Sequence, residues 1–332
     1  MSDLAAIIKK VLEDTDAVLG WTAAGAGGAA VPARLETAEA AERAVFDATC
    51  VHNLAVHLPR LKGKSVGIIA KACDSRSIVQ LIRERAVGRG SVKVIGVRGC
   101  GGTVDVRRIW RQYGYGAEIM ADNDSLSVNG SVVERPEFLR HKCLDCRDSE
   151  PLISDEIYEA GVMPAGSGGK EKSLQTDGGG SEQAGESPKA GASETQSLRA
   201  EFQAMGPAER REFWRQQYAK CIRCYACREA CPMCFCRDAC IMQTMDPRWT
   251  GGGTDAHEAE MMQLIRVNHL AGRCTGCGEC ERACPVGVPL MLLMEEQNRA
   301  VEELFGYRAG VDPEARPPLL TFSIEGDSWS EK

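Results

Sequence analysis

Along residues 4–13 the apolar positions Leu4, Ile7, Ile8, Val11 and Leu12 recur at helical spacing and predict an amphipathic helix. A short apolar run at 17–21 reads as a strand. Residues 35–47 (L-E-T-A-E-A-A-E-R-A-V-F-D) are rich in strong helix formers and predict a second helix. Two strand–helix units follow. Residues 65–70 (S-V-G-I-I-A) have a buried-strand pattern, with K-A-C-D at 71–74 as the loop beyond it and an amphipathic helix over 75–86. Residues 92–97 (V-K-V-I-G-V) repeat the strand, followed by R-G-C-G-G-T at 98–103 and a helix through Tyr113. This alternation predicts parallel strands joined by right-handed crossovers. Asn129-Gly130 between apolar alternations predicts a two-residue hairpin over 126–133. Further helices are predicted over 207–219, 258–270 and 288–305.

The pattern breaks at 164–200, where Gly, Ser, Glu and Lys dominate and large apolar residues almost vanish. Such a stretch cannot bury enough surface to offset its ordering, so it reads as a disordered linker. The expected organisation is an α/β domain with a small parallel sheet over 1–150, the linker, a second domain over 205–310, and a Pro-rich tail over 311–332. The tail is expected to wrap a neighbour or the domain surface.

Cysteine carries the chemistry. Residues 221–232 read C-I-R-C-Y-A-C-R-E-A-C-P, and 274–285 read C-T-G-C-G-E-C-E-R-A-C-P. Both obey C-x2-C-x2-C-x3-C-P, the spacing of the bacterial two-cluster ferredoxin, in which the fourth Cys of each run crosses to the other cluster. Cys221, Cys224, Cys227 and Cys284 are thus predicted to hold one 4Fe–4S cluster. Cys274, Cys277, Cys280 and Cys231 are predicted to hold the other. The second domain is accordingly expected to be α+β and ferredoxin-like. Gly276 and Gly278 let the second loop approach its sulfurs. Zinc, the competing ligand chemistry, favours one set of four thiolates drawn from two C-x2-C pairs.

The first half carries Cys73 and Cys100, each in the loop after a strand, and Cys143-x2-Cys146. Loops at the carboxyl ends of parallel strands are the usual ligand positions in open α/β sheets. These four cysteines are predicted to share a third 4Fe–4S site, with zinc or packing thiols as alternatives. Cys50, Cys234, Cys236 and Cys240 are left over. Gly25, Gly27 and Gly28 lie in G-x-G-x-x-A after a strand, which offers either a phosphate-binding loop or a plain turn.

Sixteen cysteines in 332 residues with no signal-peptide layout point to metal ligands in a cytoplasmic chain rather than disulfides. A net charge of −7 and an aromatic content of 5% exclude a nucleic-acid surface. No apolar run is long enough for direct membrane insertion. No acid/base or nucleophile constellation is visible, as befits a subunit that only positions its cofactors.

With these residues in hand, the chain resembles the β subunits of coenzyme F-420-reducing formate dehydrogenases and hydrogenases. The resemblance is carried by K-A-C-D (71–74), G-C-G-G-T (99–103), H-K-C-L-D-C (141–146), C-P-M-C-F-C (231–236), R-V-N-H-L-A-G-R-C-T-G-C-G-E-C (266–280) and L-F-G-Y-R-A-G-V-D (304–312). It implies a cluster on Cys73, Cys100, Cys143 and Cys146. It also implies single-electron relay among subunits of a formate dehydrogenase, hydrogenase or heterodisulfide-reductase type of complex. The alternative is a subunit that binds FAD and exchanges hydride with a deazaflavin or nicotinamide coenzyme. The family's flavin-binding glycine segments, before the first strand and after the C-x2-C, have no counterpart here, which leaves Gly25–Gly28 as the one candidate for a phosphate contact.

Overall fold

The structure, a computed structural model, describes residues 3–121, 125–144, 146, 150–161, 194–236, 239–244 and 250–321. Helix α1 (Leu4–Leu12) starts where Asp3 accepts a hydrogen bond from the Ala5 amide, and it buries Leu4, Ile8 and Val11. Strand β1 (Ala17–Thr22) carries the fully buried Trp21 and pairs antiparallel with β2 (Val31–Leu35). The helix expected over 35–47 is only the short α2 (Ala38–Glu42), capped by Thr37. Leu35 is taken by β2. Ala44 bridges to Thr22 and the Val45 amide bonds to the Trp21 carbonyl, so sheet pairing overrides helix propensity there.

Strand β3 (Val66–Ala70) and helix α3 (Ala72–Arg83) form the first parallel unit, and β4 (Val92–Arg98) and α4 (Val106–Tyr113) form the second. The sheet order is β2-β1-β3-β4 followed by a fifth strand at Glu156–Glu159, with every pair except β1–β2 parallel. Its last strand, β8 (Glu156–Glu159), follows a three-stranded antiparallel sheet of β5 (Ile119–Ala121), β6 (Leu126–Val128) and β7 (Ser131–Val133), then the short helices α5 (Arg135–Phe138) and α6 (His141–Leu144). The Asn129-Gly130 hairpin forms as expected, with both residues at positive φ. Strand β8 has no counterpart in the sequence reading. It docks on β4 through backbone bonds while its residues are only half-buried or exposed, so it lacks a buried-strand pattern.

The remaining helices are α7 (Glu194–Ala204), α8 (Pro207–Ala219), α9 (Ala226–Glu229), α10 (Ile241–Thr244), α11 (Ala256–His269), α12 (Glu279–Ala283) and α13 (Leu290–Phe305). Among the described residues this half is made of helices and loops. Residues 194–200 of the expected linker are helical, and residues 164–193 lie outside the described residues. No helix of the described residues is long and apolar enough to cross a membrane.

One apolar cluster runs through both halves, joining Ile8, Trp21, Ile68 and Val94 to Met233, Val267, Leu270 and Met294. Buried polar contacts fasten the same seam. Arg140 pairs with Glu279 at 3.2 Å, Ser77 bonds Thr275 at 2.8 Å, and Arg107 donates to the Cys284 carbonyl at 2.7 Å.

The tail wraps α3. Tyr307 and the Gly310 amide both donate to Gln80, and Arg76 donates to the Ala309 carbonyl at 2.9 Å. Gly310 sits at φ +69, and a Cβ there would lie 2.2 Å from the Arg76 carbonyl oxygen. Gly310→Ala is therefore expected to cost about 1–3 kcal/mol, from left-handed strain plus the clash. Thermal unfolding against the parent checks it, and an unchanged midpoint would mean that the segment 307–310 is not seated on α3.

Candidate metal centres

The two ferredoxin-type loops are built alike. Each turns at the second and fourth residues after its first Cys: Arg223 (φ 50) and Tyr225 (φ 59) in one, Gly276 (φ 69) and Gly278 (φ 70) in the other. Left-handed backbone there aims the amides of Arg223 and Gly276 back at the sulfurs of Cys221 and Cys274. Glycine adopts this conformation freely; Arg and Tyr must be held in it. Arg223 donates to the carbonyls of Gly251 and Gly253 at 2.7 and 2.5 Å, and to the Tyr225 hydroxyl at 3.1 Å. Tyr225 in turn donates to the Met242 carbonyl at 3.0 Å. The matched spacing of the runs was the sequence signal for this shared turn; the strained pair in the first loop carries no glycine and was missed.

The fold brings cysteines of the two runs, and of the first half, near one another. Cys221 lies within electrostatic reach of Cys224, Cys227 and Cys284. Cys280 lies within reach of Cys274, Cys231 and Cys277. The crossed partner of each run therefore faces the other run. Cys73 neighbours Cys100, and Cys100 neighbours Cys143 and Cys146. Cys100 follows β4 as expected. Cys73 is not in a loop but in the first turn of α3, because Lys71 already caps that helix. Among the described residues no three His, Cys, Asp or Glu side chains are gathered as a single metal ion requires. A four-iron cube needs its thiolates further apart than one ion with bonds of about 2.3 Å does.

The donors around the sulfurs are in place. The Val288 amide reaches Cys284 Sγ at 3.3 Å, and the Thr103 amide reaches Cys143 Sγ at 3.3 Å. Gln263 Nε2 lies 3.7 Å from Cys227 Sγ, and Lys142 Nζ lies 3.5 Å from Cys73 Sγ. Burial pushes the bare thiols of Cys73, Cys100 and Cys280 upward and that of Cys277 up to about 12. Metal binding removes that penalty by taking the proton's place.

Two buried cations show what charge these cages are made for. Arg266 on α11 is 2% exposed, and no carboxylate of the described residues pairs with it. Its contacts are the Cys227 carbonyl at 3.5 Å and the Met294 sulfur at 4.0 Å, and its Nε has no partner. Burial works against its charge, and Cys280, Cys227, Cys231 and Cys234 outweigh that by attracting it. An unpaired buried guanidinium is costly, and anionic sulfur ligands nearby would offset that cost. Lys142 plays this part at the other quartet: burial opposes its charge, and Cys73 raises it. The donor set thus fits anionic iron–sulfur clusters.

The K-A-C-D corner is a structural lock. Lys71 and Asp74, both buried, pair at 2.8 Å, and Lys71 also donates to the carbonyls of Cys50 and His52 and lies 4.4 Å over the Trp21 ring. A cavity of about 570 Å³ is lined by Cys73, Cys100, Cys143 and Cys146, and it reaches Cys274 of the second quartet. Cys50 is fully buried in the main core, a packing thiol. Gly25, Gly27 and Gly28 sit in a turn without the helix that a phosphate loop of this pattern would open. The turn leads into β2, not a helix, and Gly27 is needed because a Cβ would lie 2.0 Å from the Ala117 carbonyl oxygen.

Parts of the chain match known proteins. Residues 217–288 match the 4Fe–4S dicluster domain family. Over 114 residues the chain is 34% identical to the F420-dependent formate dehydrogenase subunit beta of Methanocaldococcus jannaschii, covering 34% of this chain and 28% of that protein. Over 108 residues it is 32% identical to the F420-dependent formate dehydrogenase 1 subunit beta of Methanococcus maripaludis, covering 32% and 27%. The aligned stretch is under a third of either relative's length. A chain of the F420-reducing [NiFe] hydrogenase complex from Methanosarcina barkeri aligns over 44% of this chain and 58% of its own. Its 17% identity and TM-score of 0.34 are too low to establish a common fold. Over about a third of its length the chain is thus similar to the β subunits of F420-dependent formate dehydrogenases, and residues 217–288 match a 4Fe–4S dicluster domain.

Proposed function

We propose that this chain is a non-catalytic electron-transfer subunit of a multi-subunit cytoplasmic oxidoreductase of the formate dehydrogenase, hydrogenase or heterodisulfide-reductase type. In this reading its three cysteine quartets each hold a 4Fe–4S cluster, two of them in a ferredoxin-like arrangement. Such clusters supply one-electron storage at potentials set by charge, hydrogen bonding and exposure. The observation that carries the reading is the chain of shared surroundings between the quartets. The cavity of the first-half quartet reaches Cys274, and Arg266, bonded to the Cys227 carbonyl, is also within electrostatic reach of Cys280. The order is therefore first-half quartet, second run, first run. The exposed Cys146 and Cys224 mark the two ends, where partner subunits would meet the relay.

The residues position and tune. Lys142 and Arg266 offset negative charge, the amides of Thr103 and Val288 bond sulfur, and the Arg140–Glu279 pair keeps the two halves in register. Iron, acid-labile sulfide and flavin per chain, measured on protein purified without oxygen, test the reading. About twelve irons and no flavin are expected. One flavin per chain would overturn the pure relay in favour of hydride exchange with a deazaflavin or nicotinamide coenzyme. About eight irons would remove the first-half cluster.

A further inference from the structure

The stretch after the first ferredoxin-type run carries cysteines that no quartet uses, and one guanidinium reaches two of them. Cys236 and Cys240 are both free thiols, and Arg228 bonds to each residue. The two are asymmetric. Cys236 is exposed, whereas Cys240 is only 3% exposed. Arg228, itself 2% exposed, donates from Nε to Cys240 Sγ at 3.4 Å and from Nη2 to the Cys236 carbonyl at 3.3 Å. One guanidinium thus holds the buried sulfur and the backbone of the exposed residue together. Cys240 packs with Met242, Met262 and Ile265, and Cys221 and Tyr225 lie against the same group.

We propose that Cys236 and Cys240 form a redox-active dithiol whose substrate class is an external disulfide. The two positions fit the two steps of thiol–disulfide exchange. Exposed Cys236 attacks one sulfur of the external disulfide; that S–S bond breaks, a mixed disulfide forms and the first product thiol leaves. Buried Cys240, held beside it, then attacks the Cys236 sulfur and releases the second product thiol. The chain gains one S–S bond and loses two S–H protons. The substrate loses its S–S bond and gains those two protons, and the electron pair passes with them. The reverse sequence reoxidises an external dithiol. A packing role accounts for neither the exposure of Cys236 nor a buried arginine directed at Cys240.

The couple does not depend on the cluster reading, so either can fail without the other. The test uses the full chain, purified without oxygen and equilibrated in dithiothreitol mixtures running from fully reduced to fully oxidised. Thiols are trapped with iodoacetamide in denaturant, and the cysteines are mapped by mass spectrometry. Cys236 and Cys240 are expected to carry label together under reducing conditions and to lose it together, as one cross-linked peptide, along a two-electron curve. In Cys236→Ser, Cys240 should stay labelled at every poise while the iron content matches that of the parent. Labelling of the pair that ignores the poise overturns the proposal. So does a cross-link from either cysteine to Cys234, or a loss of iron in Cys236→Ser, which would make the pair metal ligands.

Discussion

Replacing Arg266 with Met is expected to lower the reduction potential of the ferredoxin-type clusters by on the order of 100 mV. Reduction adds negative charge to a cage that Arg266 faces with a buried positive charge, so the guanidinium favours the reduced state. Removing it makes each electron harder to add, and the potential falls. Unit charges about 6–8 Å apart interact by about 2–3 kcal/mol at an effective dielectric constant of about 20. For one electron that corresponds to roughly 100 mV. Met suits the site because Arg266 already lies against the Met294 sulfur and packs under α13. Arg266→Lys should keep most of the effect, since it keeps the charge. The measurement is a redox titration followed by electron paramagnetic resonance, with iron counted on the same sample. Unchanged potentials at full iron content would show that Arg266 serves packing alone.

Sequence periodicity carried much of this structure for a physical reason. Strands β3 and β4 are buried on both faces, and α1, α8, α11 and α13 present clear apolar stripes or strong helix formers, so each announced itself. Strand β8 did not, because it is held mainly by backbone pairing to β4. The short α2 misled because alanine-rich sequence favours helix in isolation, while contacts of Ala44 and Val45 with β1 decide otherwise. At the site, ligand spacing was legible because a tight loop imposes a fixed count of residues between sulfurs. The supporting shell was not. Arg266 lies 35 or more residues from Cys227 and Cys231 in the first run, and nothing in its own neighbourhood marks it as buried. Arg140 and Glu279 meet only when both halves close on one core. The linker boundary moved for a local reason, since residues 194–204 hold enough helix formers to begin α7 ahead of the expected domain edge.

Cys143→Ser combined with Cys146→Ser should remove about four irons per chain and leave the ferredoxin-type pair spectroscopically intact. The two kinds of quartet are assembled from different parts of the chain, which is what makes the loss selective. Cys73 comes from the first turn of α3, Cys100 from the loop after β4, and the other two from the α6 region. None of those elements supplies a sulfur to the C-terminal runs. Serine keeps the size of the side chain but gives a poor iron ligand, so the cage should persist without its cluster. Lys142 then keeps Cys73, whose bare thiol burial holds protonated, and Asp74 as the neighbours that favour its charge. A buried ammonium that has lost its cluster partner is less well compensated, so a loss of about 1 kcal/mol of stability should accompany the loss of iron. The Thr103 amide, which bonds Cys143 Sγ, can bond the serine hydroxyl instead and should limit the damage to the loop at 99–103. Iron and labile sulfide per chain, with the spectra of the remaining clusters, read the result. Iron that stays at the parent's value would remove the first-half cluster and make Cys73, Cys100, Cys143 and Cys146 packing thiols. Loss of all iron would instead mean that the two halves cannot hold clusters independently, as their single shared core would then require.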